Sequence, residues 1–313
     1  MVINEKMLHD DLYEIMLKQV KEDLQEGLFD DHLLTLWNMS SKLRHLNEEQ
    51  LMDLWVKYRV NYEIQKLYSN QPEMFGGFKK INGEENVDKV LSMGGLFLTF
   101  HYGHDRFIPI TLADKLNGTD KYLHRILDED ELSNDKKYSK WKGIYHQHNI
   151  EDIVVDDIST DSKVNNRISK KDSLIFYLDG KLGFDDPYKS IDVKFLSTSV
   201  SIPTSIFRVA VKFHKPVCLL ISETDANGDA ILTAYEPLWI HDDNIEENAK
   251  IIYQLFENKF LQRPESWRKW DQLTSEIKCQ QLKKIDRKPD VVNRWGTRGF
   301  NFRSGKIYEI AHS

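Results

Sequence analysis

The sequence is poor in cysteine and has no long hydrophobic run. Its two cysteines, Cys218 and Cys279, suit a reducing compartment better than a disulfide-bonded secreted protein. The longest apolar runs cover residues 94–100, 174–178 and 216–221, well short of the roughly 20 residues that cross a bilayer. The acidic, polar start is unlike a secretory signal peptide. These absences predict a soluble, cytoplasmic protein without a transmembrane segment.

Motifs of several common enzyme classes are also missing. The chain has no Gly-x-Gly-x-x-Gly after a strand and no Gly-x4-Gly-Lys-Ser/Thr phosphate loop. It also lacks the Gly-x-Ser-x-Gly pattern of nucleophilic serines. His101 with His104, and His146 with His148, are close pairs, but neither has a third well-placed ligand cluster. We therefore expect neither a cofactor nor a metal.

The first 75 residues have a helical pattern. Apolar residues such as Leu8, Leu12 and Ile15 recur at helical spacing, and Asn47 before an acidic stretch is a typical helix start. We expect residues 1–75 to form an amphipathic helical cap that packs on the rest. The alternative is a surface that receives a lipid chain or a carrier protein.

Residues 76–275 alternate short apolar runs with helical segments. The runs are aromatic or β-branched and are bounded by Gly, Pro, Asp or Lys, as buried parallel strands are. They cover residues 95–100, 152–155, 173–178 and 216–221. This pattern predicts an α/β catalytic domain with a largely parallel central sheet flanked by helices.

Residues 276–313 form a basic tail on an acidic chain. Between Lys278 and Lys306 there are nine Lys or Arg residues and two acids, whereas the whole chain has a formal net charge of -7. The overall acidity argues against nucleic acid as a partner. The tail is either an ordinary solvated surface or a docking site for something anionic, such as a carrier protein, a phosphate or a peripherally contacted membrane.

Polar residues follow the first predicted core strand, in the order His101-Tyr-Gly-His-Asp105-Arg106. Reactive groups of open α/β sheets gather at the carboxyl ends of strands. A helix over residues 105–115 would place Asp105 in its first turn, where the helix dipole favours a carboxylate. His101 near a carboxylate is a suitable general base, because the acid fixes the imidazole tautomer.

Four blocks in the right order resemble the lysophospholipid-acyltransferase superfamily, and most of all its branch of late acyltransferases of lipid A biosynthesis. They extend over more than half of the chain, from residue 78 to residue 271. The first block contains the strand followed by His-aromatic-Gly, and the second a strand followed by Asp and Gly. The blocks cover residues 78–106, 173–186, 193–221 and 263–273. The resemblance implies an acyltransferase fold of this superfamily.

The same resemblance implies a reaction. His101 would deprotonate an acceptor hydroxyl or amine, which then attacks the thioester of an acyl-carrier protein or acyl-CoA. Backbone N–H groups near the following helix start would stabilise the oxyanion, and no covalent acyl-enzyme is needed. Since the start of the chain is acidic and amphipathic, we expect a soluble or carrier-bound acceptor, for example in a secondary-metabolite pathway. The alternative is a non-catalytic relative that binds a carrier protein or a peptide.

One position departs from the family pattern, which places Asp or Glu five residues after the histidine. Here that position is Arg106. Asp105 could take the orienting role through a one-residue shift in the turn, which would make it the second catalytic residue. Asp179 could orient His101 from a neighbouring strand end. The usual pair could also be absent, with His101 acting alone or not at all.

Four residues are candidates for substrate binding. Arg106 could hold a carboxylate or a phosphate. Arg125 corresponds to a family Arg near a strand end, although it could instead be a surface residue paired with the acidic run 128–131. Asp179 matches the Asp of the family's Asp-Gln pair, and Lys181 follows it closely.

Overall fold

A computed structural model describes the chain with several gaps. The described residues are 5–127, 138–155, 161–180, 190–196, 198–225, 227–273, 280–281 and 289–310. Lys181 and the acidic run 128–131 lie outside them, as does most of the basic tail up to residue 288.

In chain order, the described helices are α1 (Glu5–Glu26), α2 (Asp30–Lys42), α3 (Glu48–Asn70), α4 (Glu84–Met93), α5 (Ile108–Asp114), α6 (Tyr138–Gln147), α7 (Ser162–Ser169), α8 (Ser205–Phe213) and α9 (Ile245–Phe260). The described strands are β1 (Lys80–Asn82), β2 (Leu96–Thr99), β3 (Leu123–Leu127), β4 (Ile150–Val154), β5 (Ser173–Tyr177), β6 (Ser190–Phe195), β7 (Thr198–Pro203), β8 (Pro216–Thr224), β9 (Ala230–Ala234), β10 (Leu238–Trp239), β11 (Gln280–Gln281), β12 (Val291–Val292), β13 (Arg298–Asn301) and β14 (Lys306–Glu309).

The chain divides into two structural units. One unit runs from Glu73 to Lys259, and the other combines Met1–Pro72 with Phe260–Ser313. The second unit contains α1 to α3 and a small sheet in the order β11-β14-β13-β12. This division places residues 260–273 with the N-terminal helices, whereas the hydrophobic pattern groups them with the α/β region.

The unit from Glu73 to Lys259 is built on a mostly parallel sheet flanked by helices, which confirms the predicted fold class at this level. The strand order is β1-β9-β8-β2-β5-β3-β4, with β10 paired to β8. The pairs β8–β9 and β8–β10 are antiparallel, and the other neighbours are parallel. All residues of β2 and β3 are buried. This explains the nearly continuous apolar sequence of β2, whereas β3 also buries His124 and Arg125, each beside an acidic side chain. Strands β6 and β7 form a separate antiparallel pair.

The register of β2 and β5 determines what emerges at the carboxyl edge of the sheet. The two strands are parallel, with Leu96 opposite Leu174 and Thr99 opposite Tyr177. Residues two positions beyond each strand therefore leave the sheet side by side. These residues are His101 and Asp179.

Two helix starts illustrate how local chemistry sets element boundaries. Asn47 caps α3 in a reciprocal capping box with Gln50, which confirms the predicted start. After β2, the predicted helix is interrupted: a 3-10 turn spans Asp105–Phe107, and α5 begins only at Ile108. Pro109 lies in the first turn of α5, where its missing N–H costs no intrahelical bond.

Across the described ranges, none of the helices combines the length and the apolar character that a bilayer crossing requires.

Cys218 should resist thiol reagents as long as the protein is folded. It is buried in β8, its thiol lies 3.2 Å from the Tyr235 carbonyl oxygen, and burial raises its pKa to about 12. Because the thiolate is the reactive form, we expect negligible labelling of a Cys279→Ser variant by a chromogenic disulfide reagent at pH 7. Denaturant should then expose one reactive thiol per chain. Native labelling at the rate of free cysteine would contradict the burial of this strand.

Candidate active site

The imidazole of His101 is held by the carboxylate of Asp179. The Nδ1 atom of His101 lies 2.8 Å from Oδ1 of Asp179, and the His101 backbone N–H donates to both carboxylate oxygens at 3.1 and 2.9 Å. A carboxylate can only accept hydrogen bonds, so the contact places the ring proton on Nδ1. The neutral ring then carries its lone pair on Nε2, as a general base requires.

The two side chains of this pair differ in exposure. The side chain of His101 is 16% exposed, whereas that of Asp179 is 1% exposed. The imidazole is therefore not enclosed by packing, and its acidic partner is shielded from water. A buried carboxylate that is fixed by the histidine main chain orients the ring with little freedom.

The turn after β2 depends on a close approach that glycine permits. Gly103 has a φ of +60°, and a Cβ atom there would lie 2.7 Å from the Ser222 carbonyl oxygen. Both the left-handed backbone and the missing side chain are thus required. The His104 N–H donates to the Ser222 hydroxyl at 2.8 Å, which ties the turn to β8.

Three backbone amides of this segment already have acceptors. Tyr102 N–H donates to Phe100 O, Phe107 N–H to His104 O, and His104 N–H to Ser222. These three amides are therefore not available as the oxyanion donors that the resemblance implies.

Asp105 lies in the 3-10 turn and is 2% exposed. Its carbonyl oxygen accepts a hydrogen bond from the Tyr177 hydroxyl at 3.1 Å. The carboxylate that contacts the His101 ring is Asp179, so the geometry favours the second of the three interpretations, orientation from a neighbouring strand end. The catalytic role predicted for Asp105 and the substrate-binding role predicted for Asp179 both stay predictions.

Tyr177 also contacts the imidazole directly. Its ring centroid is 4.5 Å from that of His101, with the two planes inclined at 32°. Two residues later, in the turn that follows β5, Asp179 reaches the edge of the imidazole ring. Strand β5 and its extension thus contact His101 on one face and at Nδ1.

Arg106 lies five residues after His101, at the position where the resemblance would imply an acid. Its guanidinium lies over the Trp141 ring, 5.5 Å from the centroid, and its carbonyl oxygen accepts a hydrogen bond from Tyr145 at 2.8 Å. Burial raises the pKa of Tyr145. The positive charges of Arg125 and Arg106 partly offset this increase, whereas the negative charge of Asp105 adds to it. Tyr145 therefore stays protonated and able to donate.

Arg125 is a buried member of an ion pair. Its Nε and Nη2 atoms lie 2.8 and 3.0 Å from the two Asp152 oxygens, and its guanidinium stacks on Tyr145 at 3.8 Å. Burial acts to lower the pKa of Arg125, but Tyr145 and Asp152 outweigh it and the net pKa is raised. The buried partner of Arg125 is thus Asp152 on β4. The alternative pairing with the acidic run 128–131 concerns residues outside the described part. The bidentate geometry leaves substrate binding by Arg125 a prediction with little geometric support.

The remaining candidates are dispersed. Lys181 lies outside the described residues. His104 packs its ring on Phe75 at 5.0 Å, and His148 pairs with Asp114 at 3.0 Å. Within the described ranges, no three His, Cys, Asp or Glu side chains converge as a metal site would require.

No family model matches the sequence, and the curated proteins contain no significant match.

Proposed function

We propose that this protein is an acyltransferase of the lysophospholipid-acyltransferase type, with His101 as general base and Asp179 as its orienting acid. The observation that carries the proposal is the 2.8 Å contact between His101 Nδ1 and Asp179. It lies at the carboxyl edge of a mostly parallel sheet, where α/β enzymes place their reactive groups.

The proposed reaction is direct transfer from a thioester to a hydroxyl or amine acceptor. Nε2 of His101 takes the acceptor proton as the acceptor oxygen or nitrogen attacks the thioester carbonyl. The carbon–sulfur bond then breaks, and the imidazolium returns the proton to the departing thiolate. Asp179 stabilises the imidazolium in between, because a negative charge at Nδ1 favours the protonated ring.

Among the described residues, the one cysteine offers no route through a covalent intermediate. Cys218 is buried, and burial raises the pKa of its thiol to about 12, so it is a poor nucleophile. The donor in the proposal is an acyl-carrier protein or acyl-CoA, and the acceptor is a soluble or carrier-bound small molecule.

The test is a transfer assay on the full-length chain. Octanoyl- and palmitoyl-CoA and the matching acyl-carrier proteins are offered with a panel of soluble alcohols and amines, and products are detected by mass. We expect an acylated acceptor and release of free thiol with the wild type. His101→Ala should abolish both, because the substitution removes the proposed base. His146→Ala, at an exposed histidine of α6, is the matched control and should behave as the wild type.

The assay has two contrary outcomes. Equal transfer by the wild type and His101→Ala would show that His101 is not the base. Binding of the carrier protein without turnover of any donor would favour the non-catalytic alternative.

A further inference from the structure

Tyr177 on β5, which has no part in the proposed reaction, makes two separate contacts with the turn after β2. The aromatic ring of Tyr177 packs against the His101 imidazole, with centroids 4.5 Å apart. Its hydroxyl donates to the Asp105 carbonyl oxygen at 3.1 Å. One side chain therefore contacts both ends of the segment His101–Asp105.

Asp179 contacts the imidazole at one edge only. The hydrogen bond at Nδ1 opposes large rotations about χ2, but it tolerates small rotations of the ring plane, since sp³–sp² torsions have broad minima. An aromatic surface against one face of the ring opposes this rotation. The contact with Tyr177 thus restrains the direction in which Nε2 points.

The hydroxyl of Tyr177 restrains the backbone in a similar way. The Asp105 carbonyl lies in the 3-10 turn that follows His101 by four residues, and a hydrogen bond from β5 couples this turn to the sheet. Tyr145 holds the next carbonyl, that of Arg106, at 2.8 Å. The ring of Tyr145 stacks on Arg125, whereas its hydroxyl holds the turn. Tyr145 is therefore a matched control for the hydroxyl contact of Tyr177.

We infer that Tyr177 is a positioning residue, which fixes the imidazole plane of His101 through its ring and the following turn through its hydroxyl. The expected effect on kcat rests on the proposed function, whereas the expected effect on the orientation of the His101 ring is independent of any activity. Tyr177→Phe keeps the ring and removes the hydroxyl, whereas Tyr177→Leu removes both.

The experiment combines NMR and kinetics on the full-length chain. His101 ring signals are assigned by their loss in a His101→Gln variant. Tyr177→Leu should remove the ring-current shift of the His101 ring protons and broaden their signals through exchange between orientations of the ring. Tyr177→Phe and Tyr145→Phe should keep both signatures close to the wild type. In the transfer assay, Tyr177→Leu should lower kcat about 10²-fold, the cost typical of a misplaced catalytic group, with KM nearly unchanged.

The possible outcomes separate this inference from the proposed function. If neither the wild type nor any variant transfers acyl groups, but Tyr177→Leu changes the ring signals as described, the positioning role holds and the acyltransferase proposal fails. If His101→Ala is inactive while Tyr177→Leu keeps the wild-type kcat and ring signals, Tyr177 is only structural and the inference is overturned. A lower melting temperature with unchanged kcat per folded molecule would likewise overturn it.

Discussion

Asp179→Asn should lower kcat by about 10³-fold, within the range that disturbing a general base or its orienting acid costs. The amide is nearly isosteric with the carboxylate, so the loss would come from hydrogen bonding rather than from shape. The His101 backbone N–H donates to the carboxylate, and the amide oxygen can continue to accept this bond. The amide NH2 would then face Nδ1 of the ring, which lies 2.8 Å from Oδ1 in the wild type.

This exchange of acceptor for donor reverses the tautomer of His101. A donor opposite Nδ1 requires a lone pair there, so the ring proton moves to Nε2. The imidazole can then no longer accept the proton of the substrate through Nε2. KM should change little, because the orienting acid does not contact the substrate in the proposed mechanism.

Asp105→Asn is the matched control, since Asp105 is the buried acid that spacing along the chain suggests. If Asp179 orients the ring, Asp105→Asn should retain kcat within about threefold, a difference well below one hydrogen bond to a charged group. Rates are measured at saturating donor and referred to the folded fraction of each variant. A large loss in Asp105→Asn together with a nearly normal Asp179→Asn would assign the orienting role to Asp105 instead.

Sequence patterns predicted the parts of the fold that depend on local properties. The apolar runs identify β2, β5 and β8, because a strand buried on both faces needs a continuous apolar sequence. The run at residues 152–155 overlaps β4, which is less buried. The capping box at Asn47 likewise involves atoms only three residues apart. In each case the signal and the structure lie in the same short segment.

The partner of His101 could not be chosen in this way. Spacing along the chain relates His101 to Asp105 and Arg106, whereas its carboxylate comes from a position 78 residues later. That proximity depends on β2 and β5 being neighbours with Thr99 opposite Tyr177, and one sequence does not determine strand order or register. The contact of Tyr177 with His101 depends on the same strand order and register, so one sequence does not determine it either.

Pairing between the first and last parts of the chain cannot be predicted from local patterns either. Asn38 donates to the Trp270 carbonyl at 2.6 Å across 232 positions, and Asn293 donates to Asp30 at 3.1 Å across 263 positions. These bonds join the two ends of the chain in one unit. Composition and charge identify a basic tail, but they contain no information about such long-range pairing.

Arg125→Met should lower the free energy of unfolding by about 3–5 kcal/mol, because it leaves one member of a buried ion pair without its partner. The side chains of Arg125 and Asp152 are 8% and 5% exposed. The lost bonds are the bidentate pair at 2.8 and 3.0 Å and the stacking on Tyr145. The midpoint of urea unfolding measures the effect.

A double variant and an exposed pair make this prediction specific. Arg125→Met with Asp152→Leu should recover most of the stability, since an apolar pair often replaces a buried ion pair at little net cost. Arg167→Met breaks the neighbouring pair with Glu151, whose members are 33% and 44% exposed, and should cost less than about 1 kcal/mol. If Arg125 instead served the substrate, Arg125→Met would raise KM and leave the urea midpoint near that of the wild type. The bidentate bonds favour the effect on stability. To contact a ligand, the Arg125 guanidinium would first have to break its hydrogen bonds to Asp152 and leave that carboxylate buried without its partner.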